Sequence, residues 1–279
     1  MTTTLHTRAM LARLSISAWT ARKHDKSVSA EVEATHGAHD AGRFNKLLVS
    51  KALLEPLAKL GGEVRKYHYA NTLPWNDGGD RLLPSILFMA YTDQIREFKR
   101  QFAKLVSELT HAYPAEVQTA RNRLGSMYNP ADYPDVSELY GRFDISIEFE
   151  PIPNAKDFRV DVSDEAADEI RNQITNSVNL RQQEAVKDCY RRVREVVSKI
   201  HERLSVEDAM FRDTLIENAR DLMAVLPGLN ITEDPALTAL HGEINELLMV
   251  EPTTLRNSPT KRKETADAAD AILAKLPWA

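Results

Sequence analysis

Three stretches of the sequence combine basic and aromatic side chains, the two residue types that hold an unpaired nucleic-acid strand. Proteins that bind single strands contact the phosphates with Lys and Arg and stack bases on aromatic rings, and each stacked base contributes roughly 1–3 kcal/mol. We therefore predict nucleic-acid contacts at Arg22, Lys23, Lys26, Arg65, Lys66, Tyr67, Tyr69, Trp75, Lys261, Arg262 and Lys263. A structural interpretation stays open, because the three rings also suit a core and basic triplets are usually solvated.

The sequence contains none of the common catalytic motifs. It has no glycine-rich phosphate loop, no HExxH, no GxSxG and no set of Cys and His with zinc-binding spacing. We therefore expect a protein that is not an enzyme and needs no cofactor or metal. A metal-dependent nuclease is a further alternative, and its candidate residues are His36, His39, Asp77 and Asp80.

Charge is distributed unevenly along the 279 residues. The net charge of −5 means that nucleic acid does not attract the molecule as a whole. Residues 1–100 nevertheless hold 15 Lys and Arg against 10 Asp and Glu, whereas residues 207–251 hold ten acids and two arginines. Such asymmetry indicates two surfaces with different partners, or simply solvated helix faces.

We expect a cytoplasmic protein that does not contact a membrane. No apolar run is long enough to span a bilayer, and the single cysteine, Cys189, cannot form an internal disulfide. The first 24 residues carry four basic residues and no acid, as a transit peptide does. However, the alternation of apolar and polar residues from Leu14 to Trp19 is typical of a strand.

The periodicity predicts an α+β fold, mainly α, in which long antiparallel helices pack with a small antiparallel sheet. The longest predicted helix runs from Ser163 to Leu204, with an apolar stripe and a salt-bridged face that includes Arg191 and Arg192. A second long helix is predicted from Pro84 to about His111, and helix ends at Gly61-Gly62 and Pro227-Gly228. Strands are predicted near 11–23, 142–150 and 157–162, the last two as a hairpin.

We predict two domains from the same patterns. Residues 1–204 would form an α+β core with the long helices and the hairpin. Residues 205–279 would form a helical C-terminal region with a polar basic link at 256–263, where the sequence is RNSPTKRK.

Two segments resemble a family of phage proteins. They are LPSILFMAYTDQIREF, at 83–98, and YPAEVQTARNRLGSMYNPADYPDVSELYGRFDISIEFEPIPNAKDFRVDV, at 113–162. Together with the order of predicted elements, they resemble the Drc-like single-stranded-DNA-binding RNA-polymerase cofactors of short-tailed lytic phages. The resemblance implies a fold unlike the oligonucleotide-binding barrel, a preference for single strands and recruitment of a phage RNA polymerase. It supplies no binding motif that can be transferred residue by residue.

Our first functional prediction is thus a single-stranded-DNA-binding transcription cofactor in the cytoplasm of the infected host, and we expect a homo-oligomer. The alternative is a non-catalytic helical scaffold or adaptor that binds only protein. Its basis is the pair of apolar stripes on the two long helices, which are typical of helix–helix association.

Overall fold

The computed structural model describes residues 5–160, 162–206 and 210–277. It is 68% helical with a four-stranded antiparallel sheet in the order β4-β5-β1-β6, which confirms the predicted fold class. The described helices are α1 (Leu5–Arg8), α2 (Lys26–His36), α3 (Lys51–Asn71), α4 (Phe88–Leu124), α5 (Val136–Leu139), α6 (Asp164–Leu204), α7 (Thr214–Leu229), α8 (Pro235–Leu247), α9 (Pro252–Asn257) and α10 (Pro259–Leu273). The described strands are β1 (Ala9–Ser17), β2 (Arg22–His24), β3 (Asn45–Leu47), β4 (Leu73–Pro74), β5 (Asp80–Pro84) and β6 (Asp144–Glu150). None of these helices combines the length and the apolar character needed to cross a bilayer.

The chain divides into two compact units. Unit 1 comprises residues 1–13, 67–91 and 148–279, and unit 2 comprises residues 14–66 and 92–147. Unit 2 holds 16 Lys and Arg against 14 Asp and Glu, whereas unit 1 holds 20 against 27. The excess of acid therefore belongs to unit 1, and unit 2 is slightly basic.

The core of unit 1 is built on α6. Ser163 caps this helix by accepting a hydrogen bond from the Ala166 amide, as its sequence predicts. The stripe of the helix is buried against α7 and α10, and Val193, Val197 and Ile200 are 0% exposed. The long charged helix is thus a core element whose apolar side is already covered by its own unit.

Strands β4 and β5 form the part of unit 1 that bears on function. Leu82 of β5 pairs with Leu11 of β1 on one side and with Leu73 of β4 on the other, and all three are buried. Successive side chains of a strand point to opposite faces. Arg81 therefore points away from the face on which Leu82 is buried.

Unit 2 contains the first part of α3, most of α4 and a two-stranded sheet of β2 and β3. Leu57, Leu60 and Val64 recur every three or four residues on α3 and are buried. Lys46 of β3 is buried as well, and it forms ion pairs with Asp25 and Asp132.

The predicted hairpin at 142–150 and 157–162 is half wrong. Its first strand is present as β6, but Phe158–Val160 has no strand structure, and residue 161 lies outside the described residues. The segment between them instead forms a helical turn at Ala155–Asp157, capped by Asn154. Val160 is 61% exposed, so the apolar alternation here has no buried face to pair against.

Two other predicted boundaries also differ. The predicted strand 11–23 is two strands in different sheets, and Ala21, the last residue of the loop between them, takes a left-handed conformation (φ 48°). The predicted link at 256–263 is largely helical, since α9 reaches Asn257 and α10 begins at Pro259, with Ser258 as its cap.

Candidate nucleic-acid interface

The C-terminal turns of α3 present Tyr69 to solvent. Val64 and His68 lie on the buried face of the helix, which leaves Arg65, Lys66 and Tyr69 on the opposite side. Tyr69 is 54% exposed. An exposed ring on a rigid helix is suitable for stacking on a base.

Arg81 lies over the ring of Tyr69. Its guanidinium carbon is 4.6 Å from the ring centroid, a cation–π distance. Hydrogen bonds hold it in place: Nε donates to Thr72 Oγ1 at 2.7 Å and Nη2 donates to the Thr72 carbonyl at 3.1 Å. The tyrosine and the arginine are therefore a fixed pair rather than two independent side chains.

Arg192 of α6 reaches the same carbonyl from the other side. It donates to the carbonyls of Ala70 (3.0 Å) and Thr72 (2.6 Å), which satisfies acceptors that the end of α3 leaves open. Asp188 fixes its orientation by accepting from Arg192 Nε at 2.7 Å. Asp188 also accepts from Arg191, whose side chain is 66% exposed. We call Tyr69, Arg81, Asp188, Arg191 and Arg192 the arginine–tyrosine cluster.

The arginine–tyrosine cluster has an excess of positive charge. Glu195 is 3.9 Å from Arg191, but Lys199 holds the same carboxylate at 2.7 Å. With these two neighbours included, four cations face two carboxylates. Burial and the nearby charge of Arg192 lower the pKa of Arg81, which stays fully protonated at neutral pH because an arginine starts from so high a value. An anion placed beside Arg191 would relieve this repulsion.

The other predicted rings are less accessible. Trp75 is 5% exposed, and Arg181 lies 4.9 Å from the centroid of its ring. Tyr67 is half-buried, stacks on Tyr91 at 5.8 Å and donates its hydroxyl to the Ala90 carbonyl. We therefore leave both rings out of the proposed interface.

The basic triplet at 261–263 lies in the first turns of α10. Arg262 donates to the carbonyls of Arg203 (3.0 Å) and Leu204 (3.3 Å) at the end of α6, and its guanidinium lies over the ring of Phe211. Lys261 pairs with Glu264 at 2.7 Å. Two of the three cations thus have structural partners, and Lys263 is exposed.

The remaining predicted cations lie in unit 2. Arg22 and Lys23 are exposed neighbours on β2, and Lys23 is 3.9 Å from Asp132. Lys26 is exposed at the first position of α2. Arg65 and Lys66 lie on α3, four and three residues before Tyr69, so they share its exposed side.

The residues of the nuclease alternative have other contacts. Asp80 is buried and accepts hydrogen bonds from Arg13 (2.7 Å) and Asn76 (2.8 Å). Asp77, His36 and His39 are exposed. Within the described ranges, no group of three His, Cys, Asp or Glu residues is arranged to hold a metal ion.

Sequence reasoning found Tyr69 but missed its partners. The spacing of Asp188, Arg191 and Arg192 places them on one side of a helix, and the predicted salt-bridged face accounts for the ion pairs of Arg191. It does not reveal that Arg192 caps α3, 120 residues away. Nothing local marks Arg81, because its position over Tyr69 depends on how β5 lies against α3.

Comparison with known proteins adds no identification. No protein-family model, curated protein or solved structure matches the chain.

Proposed function

We propose that the chain binds single-stranded DNA through the arginine–tyrosine cluster. The observation that carries this proposal is the exposed ring of Tyr69, fixed against Arg81 beside two further arginines. A base would stack on the accessible part of Tyr69, and the flanking phosphate would contact Arg191. A duplex keeps its bases stacked inside, so a contact of this kind favours an unpaired strand.

The wider proposal is a transcription cofactor of a phage RNA polymerase, acting in the host cytoplasm as a homo-oligomer. The resemblance to the Drc family suggests the polymerase. The acidic composition of residues 207–251 in the sequence supports a contact with a protein partner. Promoter-dependent transcription by that polymerase, with and without the chain, tests this part.

The deciding experiment measures the affinity for a labelled oligo(dT) by fluorescence anisotropy. Tyr69→Ala should weaken binding by about 5- to 150-fold, which corresponds to ~1–3 kcal/mol for one lost stack. Tyr69→Phe keeps the ring and should bind as the parent does. Because Tyr69 is exposed, neither change should disturb the fold.

Charge is tested on α6 with a matched pair of variants. Arg191→Gln removes a cation of the cluster that pairs with Asp188 three residues earlier, and Arg171→Gln removes a cation that pairs in the same way with Asp168. The two positions are 20 residues apart, or about 30 Å along the helix. We expect a loss of affinity from the first change alone. Equal affinity of the parent, Tyr69→Ala and Arg191→Gln would refute the proposed site.

The adaptor alternative has less structural support. Its basis was the pair of apolar stripes, but Val193, Val197 and Ile200 on α6 and Phe102 and Leu109 on α4 are all buried. These members of the two stripes are therefore already covered within the chain.

A further inference from the structure

Unit 2 contains an open pocket whose walls are apolar and whose rim is charged. The pocket has a volume of about 570 Å³, within the range of small-molecule sites. Its apolar lining includes Trp19, Leu47, Leu54, Leu57 and Phe143. These side chains come from the loop after β1, from β3, from the first turns of α3 and from the residue before β6.

Trp19 gives the pocket an aromatic wall that its neighbours hold in place. The edge-to-face contact with Tyr113 has a centroid distance of 5.9 Å, and the guanidinium carbon of Arg142 is 6.0 Å from the ring centroid. The indole remains partly exposed, and it lines the pocket with the surface that these two contacts leave uncovered.

The charged groups at the pocket are not neutralised by the protein. Arg22 and Lys51 line it, and neither forms an ion pair with an acid in the part of the chain that the structure describes. Lys51 is also the first residue of α3, and the amide of Ser50 just before it donates to Glu116 Oε2 at 3.0 Å, so the phosphate site rests on the two cations and not on the end of the helix. Glu55 lines the same pocket and supplies one acceptor.

We propose that this pocket binds a nucleotide, as a free monophosphate or as the phosphorylated end of a strand. The apolar wall takes the flat base, and Arg22 and Lys51 take the phosphate. Glu55 accepts a hydrogen bond from an amino group of the base or a hydroxyl of the sugar. A fatty acid would match the wall and the cations but offers no donor for Glu55. The proposal does not depend on the arginine–tyrosine cluster, which lies in unit 1.

Fluorine NMR of the full chain labelled with 5-fluorotryptophan tests the proposal directly. The chain has three tryptophans, and Trp19→Phe assigns the resonance of Trp19. Titration with dAMP should shift that resonance. The combined variant Arg22→Gln, Lys51→Gln should lower the affinity at least tenfold, whereas Lys59→Gln, an exposed cation of α3 outside the pocket, should leave it unchanged.

Parallel titrations separate the possible ligands. A 5′-phosphorylated oligonucleotide that shifts the resonance where dAMP does not assigns the pocket to strand ends. Adenosine, decanoate or an acidic peptide that binds as tightly as the phosphorylated ligands would overturn the proposal, as would the absence of any shift with both millimolar dAMP and the phosphorylated oligonucleotide. The response to dAMP should be the same in Tyr69→Ala as in the parent, whether or not oligo(dT) binding depends on Tyr69.

Discussion

Lys46 is a buried charge whose three hydrogens each have an acceptor. Its ammonium lies 3.0 Å from Asp25, 2.9 Å from Asp132 and 2.7 Å from the Met127 carbonyl. The Ser27 hydroxyl and Lys46, in that order, hold the pKa of Asp25 well below its usual range. A lowered carboxyl pKa stabilises the fold at neutral pH, and this contribution is lost as the pH falls below about 4.

Lys46→Met should therefore lower the free energy of unfolding of the chain by about 2 kcal/mol at pH 7. Removing one partner of a fully buried ion pair costs about 3–5 kcal/mol. The expected loss is smaller here, because a surface cavity of about 610 Å³ lets water reach the two carboxylates. Urea denaturation at pH 7 and pH 3 measures the effect. The variant should lose less stability than the parent on acidification, and equal losses would show that Lys46 does not stabilise ionised Asp25.

His68 makes stability depend on pH in a second range. Burial and, to a smaller degree, Arg81 lower its pKa to about 4, and its Nδ1 is 2.8 Å from the Tyr91 hydroxyl. The unfolded chain binds a proton at this histidine near pH 6.5, whereas the folded chain does not until pH 4. Stability should therefore fall as the pH drops from 6.5 to 4, by about 2 kcal/mol between pH 7 and pH 4.5.

His68→Gln should remove this dependence, and urea denaturation at the two pH values checks it. Since the variant changes packing as well, proton NMR of the parent gives an independent measurement. The His68 ring resonances should not titrate above pH 5. A midpoint near 6.5 would contradict the lowered pKa.

At the scale of elements, local signals located helices well and their ends poorly. In a helix each backbone N–H donates a hydrogen bond to the carbonyl four residues earlier. Proline has no N–H to donate, so Pro227 is a predicted helix end. In the structure α7 continues to Leu229. The Met223 carbonyl, which would accept from residue 227, is instead 3.0 Å from Nε2 of His241 on α8, and this contact replaces the hydrogen bond that Pro227 cannot make. Likewise α3 continues through Gly61 and Gly62, since Leu60, Val64 and His68 keep one side of it buried.

The close approach at Gly228 gives an element-scale prediction. A Cβ at this position would lie 2.6 Å from Leu87 Cδ2 and 2.8 Å from Leu87 Cγ, so Gly228→Ala forces Leu87 to move. We expect the variant to lose roughly 1–2 kcal/mol of stability, despite the better helix propensity of alanine. Thermal or urea denaturation measures the change.

The control is Gly242→Ala on α8, where a Cβ would meet nothing within 4 Å. It should stabilise the chain by up to about 1 kcal/mol. Leu87→Ala should remove the penalty of Gly228→Ala in a double-mutant cycle. If Gly228→Ala instead stabilises the chain as much as the control does, the contact with Leu87 does not constrain α7.

At the scale of the whole molecule, the sequence predicted the fold class but, of the five residues of the candidate site, only Tyr69. Periodicity identifies α6 because that helix buries one side, and β6 because its apolar and polar residues alternate, although only Ile145 of β6 is buried. Arg81 and Arg192 are different. Arg192 acts on α3 through a contact 120 residues away, and Arg81 is brought to the end of α3 by the pairing of β5 with β4. Their roles depend on how the elements pack, and the same is true of β6, which lies next to β1 in the sheet.

The charge of the molecule predicts how its DNA affinity responds to salt. A net charge of −5 gives the molecule no general attraction for phosphates, so binding must come from a few local contacts. At physiological salt the screening length is about 8 Å, so acids farther away do not cancel the attraction of these contacts. Since Arg191 is the arginine of the cluster placed to contact a phosphate, log Kd should change with log salt with a slope of about 0.7, the contribution of one phosphate of a single strand. Arg191→Gln should remove most of that slope, while Arg171→Gln should leave it unchanged. A slope of 4 or more would require about six phosphates and hence a long basic groove, which the arginine–tyrosine cluster alone cannot provide.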